Sequence, residues 1–171
     1  RLEVKDQNGV QEESDLALVD AVAARDRYVG SLELFDPETL CLAVLTQADP
    51  SSVGFSGVGG LIEEVTSVDD DAFFIRFESP TDSNWIIRGP TAPGHYADLG
   101  LLEAKKIKIG EEVKVDGPVL LAFDGERKRR LVKGAQAIIQ VKRDGPWLID
   151  VAKVMKWATR NGTYLSVKNR N

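Results

Sequence analysis

Ala72-Phe73-Phe74-Ile75-Arg76-Phe77-Glu78-Ser79 sets Phe73, Ile75 and Phe77 on one face against Phe74, Arg76 and Glu78 on the other. That period of two is the signature of a β-strand with one face in the core. Toward the C-terminus, residues 85–88, 107–109, 113–115, 119–123, 127–132 and 135–142 read as further strands in a meander, separated by Gly89-Pro90, Gly110 and Asp116-Gly117-Pro118. Ala135, Ala137, Ile139 and Val141 add another inward stripe. Toward the N-terminus, residues 1–5 and 16–24 predict a hairpin whose long tip, residues 6–15, carries the turn pair Asn8-Gly9. Asp36-Pro37 looks like an N-cap followed by proline at the first helical position, and Leu40, Cys41, Val44, Leu45 and Ala48 recur at helical spacing until Asp49-Pro50. A closing helix is expected from Asp150 to Asn161-Gly162, packing Val151, Val154, Met155 and Ala158 on the sheet, with Met155 and Trp157 as packing residues. The count predicts a β-rich α+β chain, one β-sandwich-like domain over residues 1–171 with two or three short helices.

Composition sets the class. The 171 residues are 43% hydrophobic and 29% charged with a net charge of −5, an ordinary globular balance. A net acidic chain without a basic excess argues against nucleic acid as a partner. One cysteine, Cys41, precludes an internal disulfide and falls on an apolar stripe, and no leader or long apolar run stands out, so a reducing cytoplasm and no membrane are expected. The chain opens on Arg1 in what already reads as a strand, which suggests further sequence upstream.

Most catalytic signatures are missing: the sequence has no G-x-x-x-x-G-K-[ST], G-x-G-x-x-G, C-x-x-C or H-E-x-x-H. No metal site and no catalytic residue are expected. His95, the one histidine, lies in the turn Pro93-Gly94-His95-Tyr96 and reads as a surface residue. Residues 53–62 are more informative, with Gly54, Ser56, Gly57, Gly59 and Gly60 between apolar flanks. Glycines let main-chain amides approach a nucleotide closely, and the Ser56 hydroxyl adds a side-chain partner. The same glycines serve equally for a tight bend or a close helix-to-sheet contact, and the residues leave both readings open. Phe123-Asp124-Gly125-Glu126-Arg127 reads as a hairpin turn into the basic strand Arg127-Lys128-Arg129-Arg130. That strand is either a solvated face or a phosphate contact, with Arg127 best placed for the second role.

Taken in order, Asp15-Leu16-Ala17-Leu18-Val19-Asp20, Val29-Gly30-Ser31, Phe35-Asp36-Pro37, the glycine segment with Ser56, Ala92-Pro93-Gly94, Phe123-Asp124-Gly125-Glu126-Arg127 and Gly145-Pro146 resemble the C-terminal half of the ATP-NAD kinase family. The resemblance is to its acetoin catabolism protein X branch and covers residues 1 to about 162. It implies a β-sandwich that completes a nucleotide site opened by an N-terminal α/β domain bearing Gly-Gly-Asp-Gly-Thr, a motif these residues lack. Asp20 falls where the family has the acidic member of an Asn-Glu pair on the NAD ribose, and Val19 stands in place of the asparagine. Ser56 with Gly54, Gly57, Gly59 and Gly60 resembles the segment that holds adenine and ribose, without its threonine and tyrosine. Asp124, Gly125 and Glu126, with Arg127, are similar to the turn near that site. The resemblance further implies NAD or ATP as cofactor, a divalent metal only together with the N-terminal domain, and a homo-oligomer. The function expected is that of a nucleotide-binding, oligomer-forming half of a phosphotransferase, with a non-catalytic ligand-binding or regulatory module as the alternative and a purely structural oligomerisation domain as a third reading.

Overall fold

A computed structural model describes residues 2–5, 11–25, 36–147 and 149–166. Two antiparallel sheets are stacked face to face. The smaller runs β2-β1-β11-β8, from β1 (Leu2–Lys5), β2 (Gln11–Asp15), β8 (Glu112–Asp116) and β11 (Gln136–Gln140). The larger runs β10-β9-β3-β4-β5-β7-β6, from β3 (Asp20–Ala24), β4 (Leu40–Leu45), β5 (Asp71–Glu78), β6 (Trp85–Ala92), β7 (His95–Lys108), β9 (Val119–Phe123) and β10 (Arg127–Leu131). The β-rich α+β sandwich expected from the alternation is therefore what forms.

One core lies between the sheets, where Ala21, Val44, Phe74, Leu121 and Phe123 meet Val115, Ala137 and Ile139. A second core covers the opposite face of the larger sheet, where Val22, Leu45, Phe73 and Ile75 pack against Phe55 and Val58 of α1 (Phe55–Gly60). The middle strands are consequently buried on both faces, and β5 puts Phe74 as well as Phe73, Ile75 and Phe77 out of water.

This double burial corrects the helix expected over residues 36–48. Leu40–Leu45 is a strand, β4, whose six residues are all at least half buried. A continuous apolar run suits a central strand covered on both sides, and its length cannot separate strand from helix. Asp36 holds a turn instead of capping a helix: its carboxylate accepts from the Glu38 amide at 3.1 Å and its carbonyl from the Thr39 amide at 3.1 Å.

The first hairpin is also redrawn. β1 pairs with β2 and β11, while β3 begins only at Asp20 and belongs to the other sheet, between β9 and β4. Residues 16–19 are not strand because the amides of Leu18 and Val19 are bonded to a side chain, described below. The Asn8-Gly9 turn lies outside the described residues. β7 is far longer than the expected segment 107–109 and starts at His95, whose Nδ1 is 2.9 Å from the Thr91 hydroxyl. The strand order in the larger sheet is accordingly not a plain meander.

α2 (Val151–Arg160) forms where expected, with the Asp150 carboxylate accepting from the Lys153 amide at 2.9 Å. It does not pack on the sheet as expected: Ala158 is its one buried residue, and Val151, Val154, Met155 and Trp157 are exposed. No described helix is long and apolar enough to cross a membrane.

Candidate functional site

The site is built at one end of the sandwich, where β3 starts and β9 ends. Asp124 follows β9 in a left-handed conformation, φ 52°, and Gly125 continues it at φ 72°. Asparagine and aspartate tolerate that region better than other non-glycine residues. The turn aims the Asp124 carboxylate across the end of the sheet, where it accepts from the amides of Val19 at 2.7 Å and Leu18 at 2.9 Å, with that of Asp20 at 3.4 Å. In return the Asp124 amide donates to the Asp20 carbonyl at 3.1 Å. Burial opposes the charge of Asp124, but these three amides and the nearby Arg127 outweigh it and hold its carboxyl below the usual aspartate range.

Arg127 secures the same corner. Its guanidinium donates to the Asp15 carboxylate and the Leu16 carbonyl, and stands 3.6 Å from the Asp124 carboxylate. It is thereby engaged in linking the end of β2 to the start of β10. Gly125 and Glu126 are exposed at the tip of the turn.

Asp20 differs from Asp124 in role. Half-buried at the head of β3, it is pushed up to about 6, first by burial and then by the negative charge of Asp124, with the Asp124 amide offsetting part of the rise. Its residue lines a slot of about 90 Å³ between the sheets, walled by Leu16, Ala17, Ala21, Val44, Phe123 and Ile139. The slot shares Leu18, Thr46, Val141, Lys142 and Gly145 with an outer cleft of about 630 Å³. Thr66, Asp69, Arg143 and Trp147 line the far side of that cleft, and Trp147 is 99% exposed.

The glycine segment lies elsewhere. Neither Ser56 nor Gly54, Gly57, Gly59 or Gly60 lines the slot or the cleft. They form α1, which bonds the Gly54 amide to the Pro90 carbonyl at 2.7 Å and the Ser56 hydroxyl to the Gln47 carbonyl at 3.1 Å. A methyl group at Gly57 would strike the Ser52 carbonyl, and one at Gly60 the backbone of Pro50. The glycines thus permit a close helix-to-loop contact, and Gln47, which accepts from Ser56, lines the outer cleft.

The structure therefore brings together Asp20, Asp124, Gly125, Glu126 and Arg127, and sets Ser56 and its glycines apart from them. Thr46, Lys142 and Trp147 were not singled out from the sequence. Thr46 closes the apolar run of β4 and Lys142 the apolar stripe of β11, so a polar residue ending a buried strand was the available signal. Thr46 holds the corner too, giving its hydroxyl to the Leu18 carbonyl at 3.0 Å. Among the described residues no group of three or more His, Cys, Asp or Glu is arranged to hold a metal ion.

Comparison with known proteins follows this geometry. The family model for the acetoin catabolism protein X C-terminal domain matches residues 1–144. Acetoin catabolism protein X of Cupriavidus necator is 27% identical over 148 residues, which cover 86% of this chain and 41% of the relative. The chain thus spans about two fifths of the length of the curated relative it matches. No solved structure matches.

Proposed function

The chain belongs to the acetoin catabolism protein X C-terminal domain family, and from that premise we propose that it is the nucleotide-holding, oligomer-forming half of a kinase-like phosphotransferase. The observation that carries this reading is a slot at the end of the sandwich, bordered by Asp20, that opens into a larger cleft. Thr46, which lines both compartments, offers a hydroxyl to those of a ribose or another acceptor. Lys142 and Trp147 on the cleft supply a cation for phosphate and a ring face for a base. Phosphoryl transfer depends mainly on positioning and charge neutralisation, so this half binds and orients, while a divalent metal and the base come with the remainder of a longer protein. Self-association goes with this reading, through the edge strand β6 and its exposed Trp85 and Ile86.

One observation favours a second reading, a binding or regulatory module without kinase chemistry. Ser56 and its glycines are engaged in internal contacts instead of facing the cleft. Thermal-shift titration with NAD, NADP and ATP tests nucleotide binding, since a ligand at 100 times its Kd stabilises the fold by about 2.7 kcal/mol. The shift is expected in the wild type and weakened in Lys142→Ala. No shift with any of the three overturns the nucleotide reading, and phosphate transfer by the longer protein separates the kinase from the module.

A further inference from the structure

We propose that a cleft at the opposite end of the sandwich from Asp124 binds a small organic phosphate, its phosphate group held by the guanidinium groups of Arg25 and Arg76. This cleft lies where β3 ends and β9 begins. Among the described residues it shares none with the slot or the outer cleft.

The strand register sets both arginines on one wall. Ala23 of β3 pairs with Leu42 of β4, and Leu42 with Arg76 of β5, so the three lie side by side across the larger sheet. Leu42 belongs to the core between the sheets, and residues level on neighbouring strands share a face. Arg76 therefore faces the smaller sheet, and its guanidinium stands 5.7 Å from the ring centre of Phe74, another member of that core. Arg25 follows two residues after Ala23, on the same face by alternation. Its side chain reaches the thiol of Cys41, which packs against the same core. The two arginines thus flank Leu42 from the strands on either side. Strand spacings of about 4.8 Å and a rise of about 3.3 Å per residue put their Cα atoms about 12 Å apart, a gap that two arginine side chains close around one phosphate.

Charge and walls set the class of ligand. A phosphate monoester carries about −1.5 to −2 charges at neutral pH, and the planar arginine fork matches its oxygens with paired N–H donors. Lys114, Arg130 and Lys133 border the same cleft against Glu78 and Asp116, so cations outnumber carboxylates there, in a chain whose net charge is −5. Asp116 already accepts from the Gln136 side-chain amide at 2.8 Å, and Glu103, level with Arg76 on β7, is bonded to Lys105 at 2.6 Å. A positive field inside an acidic molecule gathers small anions. Phosphate alone is too small to fill about 1170 Å³. Leu42, Val115, Pro118 and Leu131 on the walls call for an organic body on the phosphate.

Amide NMR of the whole chain, read at Leu42, Val115 and Leu131, reports on this cleft and not on the one that Lys142 lines. Phenyl phosphate is expected to shift these amides saturably and to bind more tightly than inorganic phosphate, while phenol leaves them in place. Arg25→Gln and Arg76→Gln, both at exposed positions, each weaken binding roughly tenfold. Lys156→Gln on α2 removes an equal charge outside the cleft and leaves the affinity unchanged. Absence of saturable shifts at these amides overturns the proposal, as does an equal response to phenol, inorganic phosphate binding as tightly as the ester, or an unchanged affinity in either folded arginine variant. A loss in Lys156→Gln equal to theirs overturns it as well, since net charge alone then accounts for the attraction.

Discussion

Asp20 carries its charge at a cost to the fold. Its folded pKa of about 6 lies above the ordinary 3.8, so between those values the native state keeps a proton that the unfolded chain has released. Stability therefore falls as pH rises through that window and stays lower above it. Asp20→Asn removes the ionisation: in urea melts at neutral pH it should gain about 1–2 kcal/mol over wild type, and the gain should vanish at about pH 4. Asp124 has the opposite sign. Amide hydrogen bonds and Arg127 hold its carboxyl low despite burial, so its contribution is present above the usual carboxylate range and lost on acidification. Asp124→Ala forfeits charged hydrogen bonds to Leu18 and Val19 and places alanine at a positive φ, costing about 2–4 kcal/mol. Asp124→Asn keeps an acceptor and tolerates the backbone, and should cost about half as much in the same melts.

Among the elements, α1 is a helix by packing and not by propensity, since glycine is among the poorest helix formers. Its glycines let Phe55 and Val58 reach Leu45 and Phe73 while the chain at Asp49-Pro50 passes close by. Gly60→Ala forces a methyl into the Pro50 backbone and should destabilise by about 1–3 kcal/mol or more in thermal melts, without touching the residues around Asp20. α2 predicts the reverse. Its apolar side chains are in water, so Val154→Lys should change the stability of this chain by less than about 0.5 kcal/mol. A helix whose apolar stripe was read correctly from its period can still lack a surface to cover, because period reports which residues share a face and not what meets that face.

For the molecule as a whole, the two cores cover β5 on both faces, and Phe73 lies wholly out of water. Phe73→Ala should cost about 3–5 kcal/mol in urea melts, a large share of the stability of a domain this size. β5, β9 and β11 were legible because alternation or a short apolar run bounded by turns is local information. β4 was not, because six consecutive apolar residues carry no period that distinguishes strand from helix. Of the site, the Asp124-Gly125 turn was legible from its residue types and Asp20 from a resemblance. The clamp that joins them was hidden, since Leu18 and Asp124 are 106 residues apart in sequence and backbone amides leave no mark on composition. The glycine segment showed its need for close approach, but not that Ser52 and Pro50 would be the backbone it meets.

Arg127 fastens the last residue of β2, in the smaller sheet, to the first of β10, in the larger, and about half of its side chain lies in solvent. A fastening so exposed is weakened by dissolved ions, because charges in water are screened beyond about 10 Å at 0.1 M salt and more strongly as salt is added, whereas the greasy interior holds or tightens. Ionic strength thus acts as a dial on the lip of the sandwich alone. Amide exchange at Leu18 and Val19 should quicken with sodium chloride while that of Phe73 and Ile75 stays slow.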